Sequence, residues 1–199
     1  MPLAEVVFTA EQIRQRVQDL AAEVREQLAG QRPVLISVLK GSVIFLADFV
    51  RALGIEADID FMSISAYPGQ PGHPGPRSSS GVVRIVKDLE EPLEGRDVVV
   101  VEDIVDTGLT LSYLLRTLQT RGPRTLRVCT LVDKAVRRIA DLPIDLVGFE
   151  SEEFLIGYGL DFQGRYRNLP DLLAVRNLAA LAAAPDSLEW LFDPPQTGG

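Results

Sequence analysis

The sequence predicts an α/β fold with a central, mainly parallel sheet flanked by helices. Three observations carry that reading. Short apolar runs of strand type, at 33–39 (PVLISVL), 98–101 (VVVV) and 126–132, alternate with stretches of helical periodicity. The valine run shows no polar alternation, which fits a strand buried on both faces of a parallel sheet. Four polar residues, Lys40, Glu102, Asp103 and Lys134, fall at the C-terminal ends of expected strands, where open α/β sheets bind ligands.

The elements follow in order. Thr9 with Gln12 forms a capping-box pattern, and Ile13, Val17, Leu20, Ala21, Val24 and Leu28 then recur at helical spacing until Gly30. After the strand at 33–39, Lys40, Gly41 and Ser42 make a turn, and 43–53 is an almost wholly apolar helix that suits the core first and a subunit interface second. A strand at 59–65 precedes a segment, 67–80, with four prolines, three glycines and three serines, which reads as a long loop between paired strands. Strand character resumes at 82–86 and again at 98–101. Leu111, Leu114, Leu115 and Leu118 then mark a helix ended by Gly122 and Pro123. A strand at 126–132, a short helix near 135–140 and a strand at 146–149 follow, and an alanine-rich tail begins after Asn177.

Composition narrows the function. The 199 residues suit one domain with a small appendage, and no apolar run nears the roughly 20 residues of a membrane span. A net charge of -8 argues against a general basic surface for nucleic acid. The N-terminal MPLAEVVFTAEQ lacks the character of a secretory signal, and the single cysteine, Cys129, excludes an internal disulfide; both point to the cytoplasm. Within TLRVCTLV, Cys129 reads as a buried strand residue and not a nucleophile.

The stretch VVVVEDIVDTGLTL, 98–111, carries the chemistry. A loop of Asp106, Thr107, Gly108, Leu109 and Thr110 before a helix offers outward N–H groups and a favourable dipole to phosphate. Carboxylates above such a cradle suit a ligand with hydroxyls or a metal ion.

EDIVDTGLTL resembles the phosphoribosyl pyrophosphate (PRPP) signature of purine phosphoribosyltransferases of the hypoxanthine–guanine type. The similarity runs from about 33 to 176, through LKGS (39–42), SSSGVVRIVKDL (78–89), LVDK (131–134) and VGFESEEFLIGYGLDFQGRYRNLPDL (147–172). That last segment narrows it to the 6-oxopurine branch. The resemblance implies the type I phosphoribosyltransferase fold over 1–176, with a mobile lid at 66–81, a hood from the N-terminus and about 145–176, and a helical tail at 177–199 with a frayed end. It implies transfer of a phosphoribosyl group from PRPP to hypoxanthine or guanine with Mg2+, through an oxocarbenium-like transition state, in a homodimer or homotetramer.

Residue roles are implied in the same way. Thr107, Gly108, Leu109 and Thr110 would bind the 5′-phosphate together with Asp106, and Glu102 and Asp103 would address the ribose hydroxyls, directly or through the metal. Asp106 matches the general acid/base toward the purine imidazole. Leu39, Lys40 and Gly41 match the pyrophosphate loop, whose first peptide bond can be cis in the family. Asp161 matches a metal ligand and Arg167 a pyrophosphate residue, whereas Arg165 has no match and reads as a surface charge. Lys134 would donate to the 6-oxo oxygen, Phe154 would stack on the base and Leu155 would meet its edge. Ammonium has donors only, so Lys134 disfavours adenine, whose 6-amino group is itself a donor. The lid departs from the family because Ala66 stands before Tyr67 where a Ser-Tyr pair is usual. Tyr67 is then the residue expected to cover the site, and His73 an exposed lid residue. The competing reading is a PRPP-sensing regulator of the same superfamily, disfavoured by the acidic balance; xanthine remains open as a base.

Overall fold

The computed structural model describes residues 2–66 and 83–192; Tyr67, His73 and the rest of the expected lid beyond Ala66 lie outside the described residues. In chain order the elements are β1 (Ala4–Phe8), α1 (Ala10–Gln27), β2 (Val34–Leu39), α2 (Val43–Leu53), β3 (Asp58–Ala66), β4 (Val83–Lys87), β5 (Asp97–Val105), α3 (Leu109–Gln119), β6 (Thr125–Asp133), β7 (Leu146–Glu150), β8 (Leu155–Ile156), β9 (Leu172–Val175) and α4 (Leu178–Ala183). Short 3₁₀ turns cover Ala135–Arg137 and Glu189–Phe192. The chain divides into two compact units, Arg14–Glu152 and Met1–Ile13 with Glu153–Gly199.

The larger unit holds a six-stranded sheet in the order β4-β3-β2-β5-β6-β7. All pairs are parallel except β3 with β4, which are antiparallel, so the proline-rich segment does join paired strands. Val98, Val99, Val100 and Val101 are all fully buried, as expected for a strand covered on both faces. On one face Val34, Ile36, Val98, Val100 and Val128 pack with Leu111, Leu114 and Leu118 of α3. Each such side chain contributes about 1.5–3 kcal/mol by leaving water. Helix α2 buries Phe45, Leu46, Phe49 and Leu53, with Phe45 and Phe49 edge-to-face at 5.8 Å, so it is a core helix.

Two boundaries differ from the sequence expectation. Strand β5 does not stop at Val101: pairing with β6 continues from Asp97↔Thr125 through Val105↔Asp133, although β2 leaves at Ser37↔Val101. Helix α3 starts at Leu109, which puts Leu109 and Thr110 in its first turn and not in the preceding loop. Strand β7, expected near the start of the hood segment, belongs to the large sheet through β6.

The smaller unit contains a three-stranded sheet, β1-β9-β8, antiparallel throughout. Sequence periodicity did not indicate these strands, which are five, two and four residues long. The capping box at the start of α1 is present: Thr9 N donates to Gln12 Oε1 at 2.8 Å and Gln12 N to Thr9 Oγ1 at 3.3 Å. Behind the sheet, Ala4, Ile156, Leu169, Leu173 and Val175 pack with Leu181 and Leu188 of the C-terminal segment.

Buried carboxylates fasten the larger unit. Burial alone would raise the Asp60 carboxyl, but N–H donors from Glu91, Phe61 and Glu90, at 2.9, 2.7 and 2.7 Å, outweigh it and hold the group below the usual range. Hydrogen bonding from Arg124 lowers Asp97 in the same direction. Both shifts are depressions, so their stabilisation is complete above the unfolded carboxyl value of about 3.9 and is lost as pH falls through the lower folded values. Asp60→Asn should cost about 1–3 kcal/mol at pH 7, with the deficit shrinking in strong acid. Urea unfolding between neutral and acid pH checks this, and a deficit independent of pH would contradict it.

Candidate active site

The C-terminal ends of β2, β5 and β6 carry the predicted site residues of the larger unit. Beyond β2 the Leu39–Lys40 peptide bond is cis. The following turn is anchored from inside: Ser42 Oγ donates to the Val38 carbonyl and lies 2.6 Å from Ser37 Oγ, with both serines fully buried. Gly41 is required by space. A Cβ there would stand 1.6 Å from Asp103 Oδ2, so the loop and this carboxylate are pressed together.

Glu102 and Asp103 lie on the part of β5 that pairs with β6 only, because the pairing of β5 with β2 stops at Ser37↔Val101. Both are partly buried, and Asp103 Oδ1 accepts the Ile104 N–H at 2.9 Å. The strand then yields to Asp106, Thr107 and Gly108. Gly108 takes φ +78, a left-handed turn suited to glycine, and α3 begins at the next residue. First-turn N–H groups of a helix have no acceptor within the helix; that of Leu109 reaches Thr107 Oγ1 at 3.5 Å, and that of residue 110 is placed to meet an anion.

A second loop braces this turn. Ile139 N and Ala140 N both donate to the Thr107 carbonyl, at 2.9 and 3.3 Å, and a Cβ on Gly108 would meet Leu142 Cδ1 at 2.9 Å. Arg137 Nε lies 3.2 Å from Asp106 Oδ1, within ion-pair distance, though no hydrogen bond to that oxygen forms. Both side chains are about half exposed, so this pair contributes at most about 1 kcal/mol.

Lys134 closes β6. It is 3% exposed, and its N–H donates at 2.9 Å to the carbonyl of Val105, the residue before Asp106. The neighbouring Asp133 is also buried; desolvation raises its carboxyl despite Arg138 at 3.3 Å. Cys129 is fully buried, and burial pushes its thiol far up, which leaves no thiolate for nucleophilic chemistry.

In the smaller unit Asp161 and Arg167 are brought together. Arg167 Nη2 stands 2.6 Å from Asp161 Oδ1, Arg167 Nη1 donates to the Gly159 carbonyl at 2.6 Å, and Gly164 N donates to Asp161 Oδ2 at 2.6 Å. Phe154 is partly buried and meets Phe162 edge-to-face at 6.1 Å. Leu155 is buried in β8 opposite Ala174.

The sequence pattern of the phosphoribosyl transferase domain matches residues 5–163. The chain belongs to the phosphoribosyltransferase family. It is 48% identical over 174 residues to the hypoxanthine-guanine phosphoribosyltransferase of Mycobacterium avium, covering 84% of this chain and 83% of that one. It is 44% identical over 170 residues to the hypoxanthine-guanine-xanthine phosphoribosyltransferase of Tritrichomonas foetus, with 84% and 89% covered. Its fold superposes on the crystal structure of a hypoxanthine-guanine phosphoribosyltransferase from Bacillus anthracis with a TM-score of 0.78 at 37% identity, covering 88% of this chain and 99% of that chain.

Sequence reasoning missed the inner supports of this phosphoribosyltransferase. Ser37 was visible as the lone polar residue in PVLISVL, five positions before Ser42, and its hydroxyl turns out to meet that of Ser42. The brace from Ile139 and Ala140 uses main-chain groups and left no side-chain signal. A cleft of about 310 Å³ lies at the opposite, N-terminal ends of the strands, lined by Arg32, Arg96, Arg124, Asp58 and Asp97 among others. Its guanidinium groups are already paired with those two aspartates, so it is a clamp on the strand starts and not a second ligand site.

The contact of Gly41 with Asp103 gives a test by double-mutant cycle. Gly41→Ala should lower the unfolding midpoint and reduce turnover on the order of 10²-fold by displacing the loop and the carboxylate. Adding Asp103→Ala should restore much of the stability but not the turnover. Additive stability losses would contradict the contact.

Proposed function

We propose that this phosphoribosyltransferase transfers the phosphoribosyl group of PRPP to a 6-oxopurine, hypoxanthine or guanine, giving the nucleoside monophosphate and pyrophosphate. The observation that carries the reading is Lys134: buried, at the end of β6, and tied through its main chain to the residue before Asp106. A buried ammonium can donate but not accept, which suits a 6-oxo oxygen and penalises the 6-amino group of adenine. Names of relatives support the same bases, and the Tritrichomonas foetus relative extends them to xanthine.

In this reading a purine ring nitrogen forms its bond to ribose C1′ as the C1′–oxygen bond to pyrophosphate breaks, and the leaving pyrophosphate takes the electron pair. The Asp106 carboxylate takes the proton displaced from the imidazole ring of the base. The amides of residues 107–110 and the hydroxyls of Thr107 and Thr110 hold the 5′-phosphate, while Glu102 and Asp103 hold the ribose hydroxyls. Leu39, Lys40 and Gly41 present main-chain groups to pyrophosphate, and Arg167 neutralises it. Phe154 stacks on the base and Leu155 meets its edge. The lid role belongs to Tyr67.

Glu102 and Asp103 in the larger unit and Asp161 in the smaller would each offer the hard oxygen donors that Mg2+ prefers; among the described residues no three such side chains gather into one metal-holding group. When bound, the ion offsets phosphate charge and favours departure of pyrophosphate. No helix among the described residues is long and apolar enough to cross a membrane. Cytoplasmic location and a homodimer or homotetramer complete the proposal.

The test offers PRPP and magnesium with hypoxanthine, guanine, xanthine and adenine separately. Hypoxanthine or guanine should be preferred over adenine by on the order of 10⁴-fold, and Asp106→Asn should lower kcat about 10²- to 10⁴-fold. PRPP binding without turnover of any base would replace this reading with the regulatory sensor.

A further inference from the structure

The C-terminal segment after β9 lies outside the stretch matched by the family pattern, which ends at residue 163. It is nevertheless built into the loop that carries Asp161 and Arg167. Leu181 and Leu188 are 0% and 1% exposed and share a core with Ile156, Tyr166 and Leu169. The Tyr166 hydroxyl donates to the Pro185 carbonyl, and its ring stacks on Phe192, with centroids 6.2 Å apart and planes inclined by 3°. Arg165 pairs with Asp186 and lies 5.8 Å over the Tyr166 ring. Residues 165 and 166, which directly precede Arg167, are therefore both held by residues 185–192.

Backbone geometry shows why such a hold matters. Tyr158, Gln163 and Tyr166 have φ of +45, +53 and +73, a left-handed region that residues with a Cβ avoid. Conformations of this kind persist only where the surroundings over-determine them. Inside the loop, Gly159 N donates to the Arg167 carbonyl at 2.8 Å, and the Arg167 side chain returns to Gly159 and Asp161. On the outer side, Tyr166 is fixed by Pro185 and Phe192.

We propose that residues 178–192 are a positioning element for the phosphate-handling loop, acting through Tyr166 to set the direction of Arg167 and the Asp161 carboxylate. This rests on the reading of Arg167 and Asp161 as pyrophosphate and magnesium residues. The segment touches no reacting atom in this proposal. Its effect is larger on the affinity for PRPP than on that for the base, whose expected platform Phe154 packs against the same core from its edge.

The experiment compares full-length Phe192→Ala, Phe192→Tyr, Tyr166→Phe and Asp186→Ala with Arg167→Gln. KM is measured for PRPP and for the base, Kd for PRPP with magnesium by calorimetry, and the unfolding midpoint for each protein. Phe192→Ala should raise KM and Kd for PRPP on the order of tenfold, with a clearly smaller change in the KM for the base. Tyr166→Phe and Asp186→Ala should move in the same direction by less, and Phe192→Tyr, which keeps the stacked ring, should behave as the parent. If Arg167→Gln weakens PRPP but the tail variants leave it unchanged, or lose turnover only together with the folded state, the positioning role is overturned. If Arg167→Gln itself leaves PRPP affinity unchanged, the assigned role of Arg167 fails first and takes this proposal with it.

Discussion

Strand β5 stays hydrogen-bonded to β6 as far as Val105, after its pairing with β2 has stopped at Ser37↔Val101. Everything chemical in the larger unit depends on that one-sided extension. Where β2 withdraws, its chain turns through Leu39, Lys40 and Gly41, and the space it leaves admits a glycine against Asp103 and nothing larger. The remaining edge of β5 presents Glu102 and Asp103, while the bond from Lys134 N to the Val105 carbonyl fixes the point at which the strand gives way to the turn at residues 106–108.

The supports around this edge are mostly main-chain groups and small buried hydroxyls. The Ser37–Ser42 contact holds the turn after β2, and the Thr107 carbonyl receives two donors from the loop after β6. Supports of this kind are short-ranged and stiff, and they hold the main-chain donors of these turns in fixed positions. The smaller unit solves a similar problem differently, with left-handed residues and glycines around Asp161 and Arg167 and an apolar core that includes the C-terminal segment.

Legibility in the sequence followed the strength of the physical signal. The valine run, Leu111, Leu114, Leu115 and Leu118 of α3 and the spacing from Ile13 to Leu28 each report burial over several turns or residues, and all of these positions except the partly buried Leu115 are buried. The end of β5 was misjudged because Glu102 and Asp103 look like a strand terminus, whereas pairing with a single neighbour carries the strand onward. The start of α3 was placed late because Leu109 and Thr110 read equally well as loop or first helical turn. Strands β1, β8 and β9 are too short to show a period, and they form through partners distant in sequence, as in Ala4↔Val175. The candidate residues at strand ends were legible because the α/β architecture itself sends ligands there. The tail read as an alanine-rich helical segment with a frayed end, and only the three-dimensional packing of Leu181 and Leu188 revealed its place in a core.

The most direct measurement is a crystal structure of the protein with PRPP, magnesium and a purine analogue that cannot form the glycosidic bond. The account predicts the 5′-phosphate on the amides of residues 107–110, the ribose hydroxyls toward Glu102 and Asp103, and the 6-oxo oxygen within hydrogen-bond reach of Lys134. A phosphate bound elsewhere, or a base seated away from Lys134, would contradict it.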